Sequence, residues 1–336
     1  MSALKAIAKD FAAGAAIVTT SDAATLEQDA AVLQTMELPS QADDLDGDGK
    51  WDELAFQLDF KPRQTRIVTV AYGDAPTIQR LRRQYPKRTD AKFAVHYEGP
   101  GWESEEIPWR IYFDKRNAID IYGKRRPGMY LDLFAAPEYV YHQESPFGRD
   151  IYGIGKAVGV AFIGALVDGK VTAVAEMADR KWRVVSTGPV RSILEFEYTG
   201  WKIGSRTVDL TSRIMQWAGE HGFEHRITVK NGDGITLVTG IPNKPVTEKL
   251  DAPGMVGSWG HQVVVSGTKA QLIDLPDENL GVAVIVPIEE AGAVSTDEAK
   301  IDCWRCVRST ELRIFTARRC GPGKHGAADH RERPGG

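Results

Sequence analysis

The chain has no cysteine before Cys303; all three, Cys303, Cys306 and Cys320, sit near its far end. A disulfide framework for the main body is therefore excluded, while the compartment stays open, because a large core needs no staples. No run of about 18 apolar residues occurs, which excludes a membrane-spanning helix. Charge of either sign is not in excess, the net value being −4, so nothing points to nucleic acid or an anionic membrane surface as a partner. Glycine-rich phosphate loops opening a helix are missing, as are alternating strand and helix units, and a nucleotide-binding α/β domain is excluded with them. The opening stretch, residues 1–20, carries Asp10 inside a weak, broken apolar run, and no secretory signal is visible in it.

What is present is strand pattern. From Val160–Val167 to Val282–Pro287, short segments rich in Val, Ile, Thr and aromatics recur, with Gly, Asp or Asn between nearly every pair. That rhythm predicts an all-β fold, a large antiparallel β-sandwich with few short helices. Residues 1–40, rich in alanine and threonine, are expected to be weakly structured, and 41–300 to form a single domain. Residues 301–336 differ in composition, with eight Lys or Arg against four Asp or Glu, and are expected to be a disordered or non-native tail. Cys303, Cys306, Cys320, His325 and His330 match no closed four-ligand zinc spacing.

The chemistry concentrates between Ile107 and Gly159, where charged side chains lie among tyrosines, phenylalanines, glycines and prolines. Such a mixture suits a polar pocket for a ligand rich in hydroxyls and carboxylates. Pro127 to Tyr152 holds too many breakers for a regular element and is expected to be a long structured loop. Upstream, Asp44, Asp46, Asp48 and Asp52 have the spacing with which a calcium loop offers oxygens, and Gly49 suits its sharp turn. Ala55 stands where the bidentate glutamate would be, so a structural calcium competes with a plain Asp/Gly hairpin turn. The basic segment Ile78–Lys87 reads as a short helix or loop with a solvated face.

The segments QADDLDGDGKWDELAFQLDF, AIDIYGKRRPG, YVYHQESPFGRDIYGIGKAVGVAFIG and STGPVRSILEFEYTGW together resemble the bacterial family DUF4861, over roughly Gln41 to Ala299. Members of that family are similar to carbohydrate-active enzymes, and the downstream pattern is similar to the galactose-mutarotase-like supersandwich. The resemblance implies export to the periplasm or beyond, and a setting in the breakdown of uronate-containing polysaccharides such as pectin, alginate or ulvan. It transfers no catalytic residues.

If the substrate is a uronate oligosaccharide, elimination needs a carboxylate clamp, a base for the neighbouring C–H proton and an acid for the leaving oxygen. His142 is the expected base, its ordinary pKa lying near neutrality, with Tyr152 or Tyr141 as acid or base and Asp150 beside them. Arg110, Lys124 and Arg191 are clamp candidates; Arg191 could equally pair with Glu195 or Glu197. Asp120 and Asp150, or Glu144, would serve a glycoside hydrolase instead, or simply pair with Lys124 and Arg149. Trp259 and Trp102 are candidate sugar platforms, and His261, with His225, a candidate ligand contact. No cofactor is required by any of these schemes. A non-catalytic glycan-binding protein is the remaining alternative.

Overall fold

The computed structural model describes the backbone of residues 2–22, 36–94, 98–140, 143–244, 248–266, 271–296, 302–307 and 311–320, with side chains except at 2, 22, 265–278 and beyond 301. It is a mostly β structure built from antiparallel ladders. The largest sheet has eight strands, in spatial order Asp179–Ser186, Arg191–Ile203, Arg206–Trp217, Glu224–Lys230, Glu311–Cys320, Gln271–Ile285, Met255–Ser266 and Glu248–Ala252. One five-stranded sheet runs Gly148–Asp150, Ile119–Lys124, Pro108–Ile111, Gly99–Ser104, Thr89–Ala94; another runs Lys170–Ala173, Gly164–Val167, Leu237–Pro242, Asp302–Val307, Ala291–Thr296. A three-stranded sheet, a two-stranded hairpin, three short α-helices, Ser2–Ile7, Ala75–Leu81 and Leu131–Phe134, and the 3-10 turns Ala13–Ala15 and Ile288–Glu290 complete the described elements.

Period-2 alternation explains the strands. Along Arg206–Trp217, Val208, Leu210 and Ile214 are buried while Asp209, Thr211 and Arg213 are half-buried, as expected for a strand with one face on the core. Asp168 and Gly169 close the two-residue turn between Gly164–Val167 and Lys170–Ala173 with φ of 49° and 77°. Two positive φ values in succession define the turn whose twist matches the flanking strands, and Asp-Gly is its preferred sequence. A single buried cluster draws Trp109 and Ile121 from one five-stranded sheet, Leu237 and Ile241 from the other, and Phe196 and Ile214 from the eight-stranded sheet. The architecture is thus an all-β sandwich, with the two smaller sheets laid on the large one.

The sheets interlock at Phe223. Trp102 and Trp109 are cross-strand partners, and the Phe223 ring meets both edge-on, at 5.3 and 4.8 Å between centroids. All three rings are buried. The platform role expected of Trp102 is therefore corrected: its indole is core.

Two ends of the chain differ from expectation. Residues 16–22 form a strand paired over its full length with Arg66–Tyr72 and also with Met36–Leu38, so much of the first forty residues is regular; its partner lies some fifty residues away, which local composition does not reveal. The expected tail contains Asp302–Val307, flanked by Leu237–Pro242 and Ala291–Thr296, and Glu311–Cys320, which sits inside the eight-stranded sheet. Disorder is corrected to strand for those residues; 321–336 lie outside the described residues. The segment from Pro127 to Tyr152 holds the helix Leu131–Phe134 and the strand Gly148–Asp150 within its loops.

Phe223→Ala removes the ring that both tryptophans contact and is expected to lower unfolding free energy by about 3–5 kcal/mol. Urea melts followed by tryptophan fluorescence check this, and a loss below about 1 kcal/mol would show that the interlock is not needed.

Candidate functional site

Three short triplets lie on neighbouring strands: Arg110-Ile111-Tyr112, Asp120-Ile121-Tyr122 and Asp150-Ile151-Tyr152. Arg110 is the register partner of Asp120, and Asp150 that of Tyr122. Alternation sends each isoleucine into the main core and leaves Arg110, Asp120, Asp150 and Tyr122 on the opposite face of their strands, while Tyr152, beyond the end of its strand, also touches that core. The sheet therefore has a greasy side against the sandwich and a polar side away from it.

On that polar side, Arg110 donates from Nε and Nη2 to Asp120 Oδ2 at 3.2 and 2.9 Å, and to the Tyr112 hydroxyl. Its guanidinium lies 4.0 Å from the Tyr112 ring centroid and 5.3 Å from that of Tyr122. Asp120 Oδ1 accepts the Ile121 N–H at 2.8 Å, and Asp150 Oδ1 accepts the Tyr152 N–H at 3.0 Å. Lys244 reaches in from outside the sheet: its ammonium stands 4.1 Å from the centroid of the Tyr152 ring and donates to Gln262 Oε1 at 2.9 Å.

A cleft of 510 Å³ opens onto this cluster, lined by Tyr112, Lys115, Arg116, Asp120, Tyr152, Lys156 and the segment 153–158. Arg116 is paired with Asp114 and Glu98 and stacks on Tyr112. Lys115 and Lys156 are exposed and form no ion pair among the described residues. The cleft thus has the almost fully buried Tyr152 and Asp120 behind it and the exposed Lys115 and Lys156 at its mouth.

Burial pushes the Asp120 carboxyl up to about 6, against the pull of Arg110 and with help from the nearby Asp150 charge. Burial also pulls Lys244 down to about 8, although Asp120 and Asp150 favour its charged form. An acid and a base moved toward neutrality from opposite sides are what proton-transfer sites arrange.

The expected site residues separate into two groups. Arg110, Asp120, Asp150 and Tyr152 are brought together, but only Asp120 and Tyr152 line the cleft; Arg110 is buried in its ion pair with Asp120 and is corrected from clamp to support. Lys124 is instead buried against Glu103 at 2.6 Å, and donates to the carbonyls of Ser104 and Gly128; Glu103 in turn accepts the N–H groups of Tyr130 and Leu131. That pair fastens the segment after the strand, so Lys124 is corrected from clamp to anchor. Arg191 is likewise buried, with Asp43 at 2.6 Å and Glu53 at 2.5 Å rather than Glu195 or Glu197. Neither lines the cleft, and neither do Trp259 and His261, which sit on Met255–Ser266. Glu144 is exposed and pairs with Arg125. His142 and Tyr141 lie outside the described residues.

Sequence reasoning missed Lys244, which sits in a loop with no motif around it. It also missed Tyr112, Lys115 and Arg116, and gave Lys156, one of the charged residues of the Ile107–Gly159 stretch, no role of its own; the repeated charge-Ile-Tyr triplet was the available signal for the first. His225 is shut in the core, its Nε2 2.6 Å from Ser212 Oγ and its Nδ1 3.2 Å from the Ala161 carbonyl, and burial lowers it from 6.5 to about 4.

Asp44, Asp46 and Asp48 converge to within 4.8 Å. Asp44 accepts the N–H groups of Gly47 and Gly49 at 2.7 and 2.8 Å, and Asp48 takes the Lys50 ammonium at 2.7 Å. Asp52 stands apart from the three and accepts the Leu45 N–H at 2.8 Å.

An antiparallel sandwich carrying a polar, partly cationic cleft on one small sheet is the class these features define. Residues 15–302 match the family described as Domain of unknown function (DUF4861), and the chain belongs to that family. It is also similar to a protein of Formosa agariphila named as uncharacterized protein P7, 25% identical over 276 residues that make up 74% of this chain and 64% of that protein. The chain therefore spans less than two thirds of that relative's length. No helix among the described residues is long and apolar enough to cross a membrane.

Because His225 is held neutral in the fold, its contribution to stability is full above pH 6.5 and is lost as the pH falls toward about 4. His225→Asn is expected to flatten the pH dependence of the melting temperature in that window, measured against the parent by calorimetry. An identical acid profile in both proteins would show that the histidine is not the acid-sensitive group.

Proposed function

We propose that this protein is a carbohydrate-active enzyme that acts on uronate-containing oligosaccharides by elimination, in polysaccharide breakdown outside the cytoplasm. The observation that carries the reading is the cleft itself, with Tyr152 on its wall and the unpaired Lys115 and Lys156 at its mouth. The cations would hold the uronate carboxylate and so acidify the neighbouring C–H bond. Tyr152, as phenolate, would take that proton, with the Lys244 ammonium over its ring, while the C–O bond to the leaving sugar breaks. The phenol then returns the proton to the leaving oxygen, which closes the balance without any external reagent.

A second reading is hydrolysis, supported by Asp120: a carboxyl raised to about 6 beside a second carboxylate, Asp150, is the pattern of a general acid and its partner. The two are separated by product. With oligosaccharides of galacturonate, of alginate and of ulvan, elimination is expected to give the ultraviolet absorbance of an unsaturated uronate. New reducing ends without absorbance would establish hydrolysis, and binding without product a glycan-binding protein. Tyr152→Phe is expected to lower kcat by roughly 10²–10⁴-fold with little change in KM; an unchanged kcat removes Tyr152 from the chemistry.

The aspartate turn supports a separate proposal, a structural calcium held by Asp44, Asp46 and Asp48. Calcium titration is expected to raise the melting temperature by a few degrees, with Asp46→Asn abolishing the rise. A melt insensitive to calcium leaves the turn as a hydrogen-bonded connector.

A further inference from the structure

A second cleft, of 630 Å³, lies elsewhere on the molecule and shares no lining residue with the first. One wall is Trp51, which follows the aspartate turn and leads into the strand Glu53–Phe56. Its indole is 45% exposed, a costly state for the largest apolar side chain unless something stacks on it. The ring packs over Gly14, so close that a Cβ at that position would collide with the indole nitrogen.

The facing wall is the basic segment that follows the helix Ala75–Leu81. Asp74 caps that helix through the Thr77 N–H at 3.0 Å. Arg82 donates to the Ser40 carbonyl, and the Tyr85 hydroxyl to the Glu37 carbonyl at 3.1 Å, so the wall is tied to the strands beneath it. Between these ties, Gln79, Arg83 and Gln84 are exposed and line the cleft. The Arg83 guanidinium forms no ion pair among the described residues; the nearby Glu37 carboxylate is held by the Arg83 backbone N–H at 2.9 Å.

We infer that this Trp51–Arg83 cleft is a second binding site, for a short stretch of acidic glycan. A pyranose C–H face stacks on an exposed indole, the glutamine amides offer both donors and acceptors to ring hydroxyls, and a guanidinium takes a carboxylate through two parallel hydrogen bonds. Single-stranded nucleic acid also uses aromatic stacking, but it asks for a row of cations along successive phosphates. Here Arg82 is committed to Ser40, and Arg83 is left. The inference stands on the side chains of this cleft and does not depend on the chemistry at Tyr152.

The test is calorimetric titration of the full chain with tetramers of galacturonate and of mannuronate, in the Tyr152→Phe background so that nothing turns over. Trp51→Ala and Arg83→Gln, each checked for an unchanged melt, are expected to weaken one binding step about tenfold or more. Gly14→Ala, which displaces the indole, is expected to weaken it too. Raising the salt concentration should weaken the same step, since it rests on a charge pair. Equal affinities in parent, Trp51→Ala and Arg83→Gln would overturn the inference, as would no binding of either tetramer. Tighter binding of an oligodeoxythymidylate than of either tetramer would overturn it in favour of nucleic acid. Failure of elimination in the parent leaves this result readable, because only binding is measured.

Discussion

The Arg110–Asp120 pair is the constraint on which the small sheet and its cleft depend. Both side chains are within 2% of full burial and 2.9 Å apart, and taking two ions out of water costs several kcal/mol each unless their remaining donors and acceptors are met. The neighbours meet them: the Ile121 N–H, the Tyr112 hydroxyl and two phenol rings surround the pair. Because side chains alternate, a slip of one residue between these strands would turn the ions toward Trp109 and Ile121 and the isoleucines toward the cleft. The pair thus selects a single register, and the register places Asp150 and the tyrosines.

That arrangement also sets the electrostatics. A floor dry enough to force Asp120 upward lies beside a mouth carrying the exposed Lys115 and Lys156, so a carboxylated ligand would be drawn inward and partly desolvated as it arrives. Lys244 connects the two environments. It is buried enough to be lowered to about 8, yet Asp120 and Asp150 favour its ammonium form, so the cluster is balanced near neutrality and responds to any new charge brought to it.

How far the residues foretold this depends on how local the cause is. The strand rhythm after Val160 was legible because alternation and Asp-Gly turns are local, and the Ile107–Gly159 stretch announced polar chemistry by composition alone. Lys124 and Arg191 were misleading for a physical reason: each looked like a free cation, and each is neutralised by an acid distant in sequence, Glu103 in one case and Asp43 with Glu53 in the other. Lys244 was invisible for the converse reason, an ordinary lysine made unusual by what the fold sets around it. In both directions the missing information was a long-range pairing.

The same reasoning accounts for the strand Glu311–Cys320. With one cysteine and three arginines in ten residues it differs in composition from the sandwich strands, and only LRIFTA alternates, yet it occupies an interior position of the eight-stranded sheet, between Glu224–Lys230 and Gln271–Ile285. A ladder is made by backbone N–H and C=O groups, which every residue but proline supplies in full, and residues 311–320 contain no proline. Without that strand, Glu224–Lys230 and Gln271–Ile285 would each present an open edge in the middle of the scaffold. Composition therefore judges what covers a strand better than it judges what can become one, and here the sheet's need for a closing partner decides the matter.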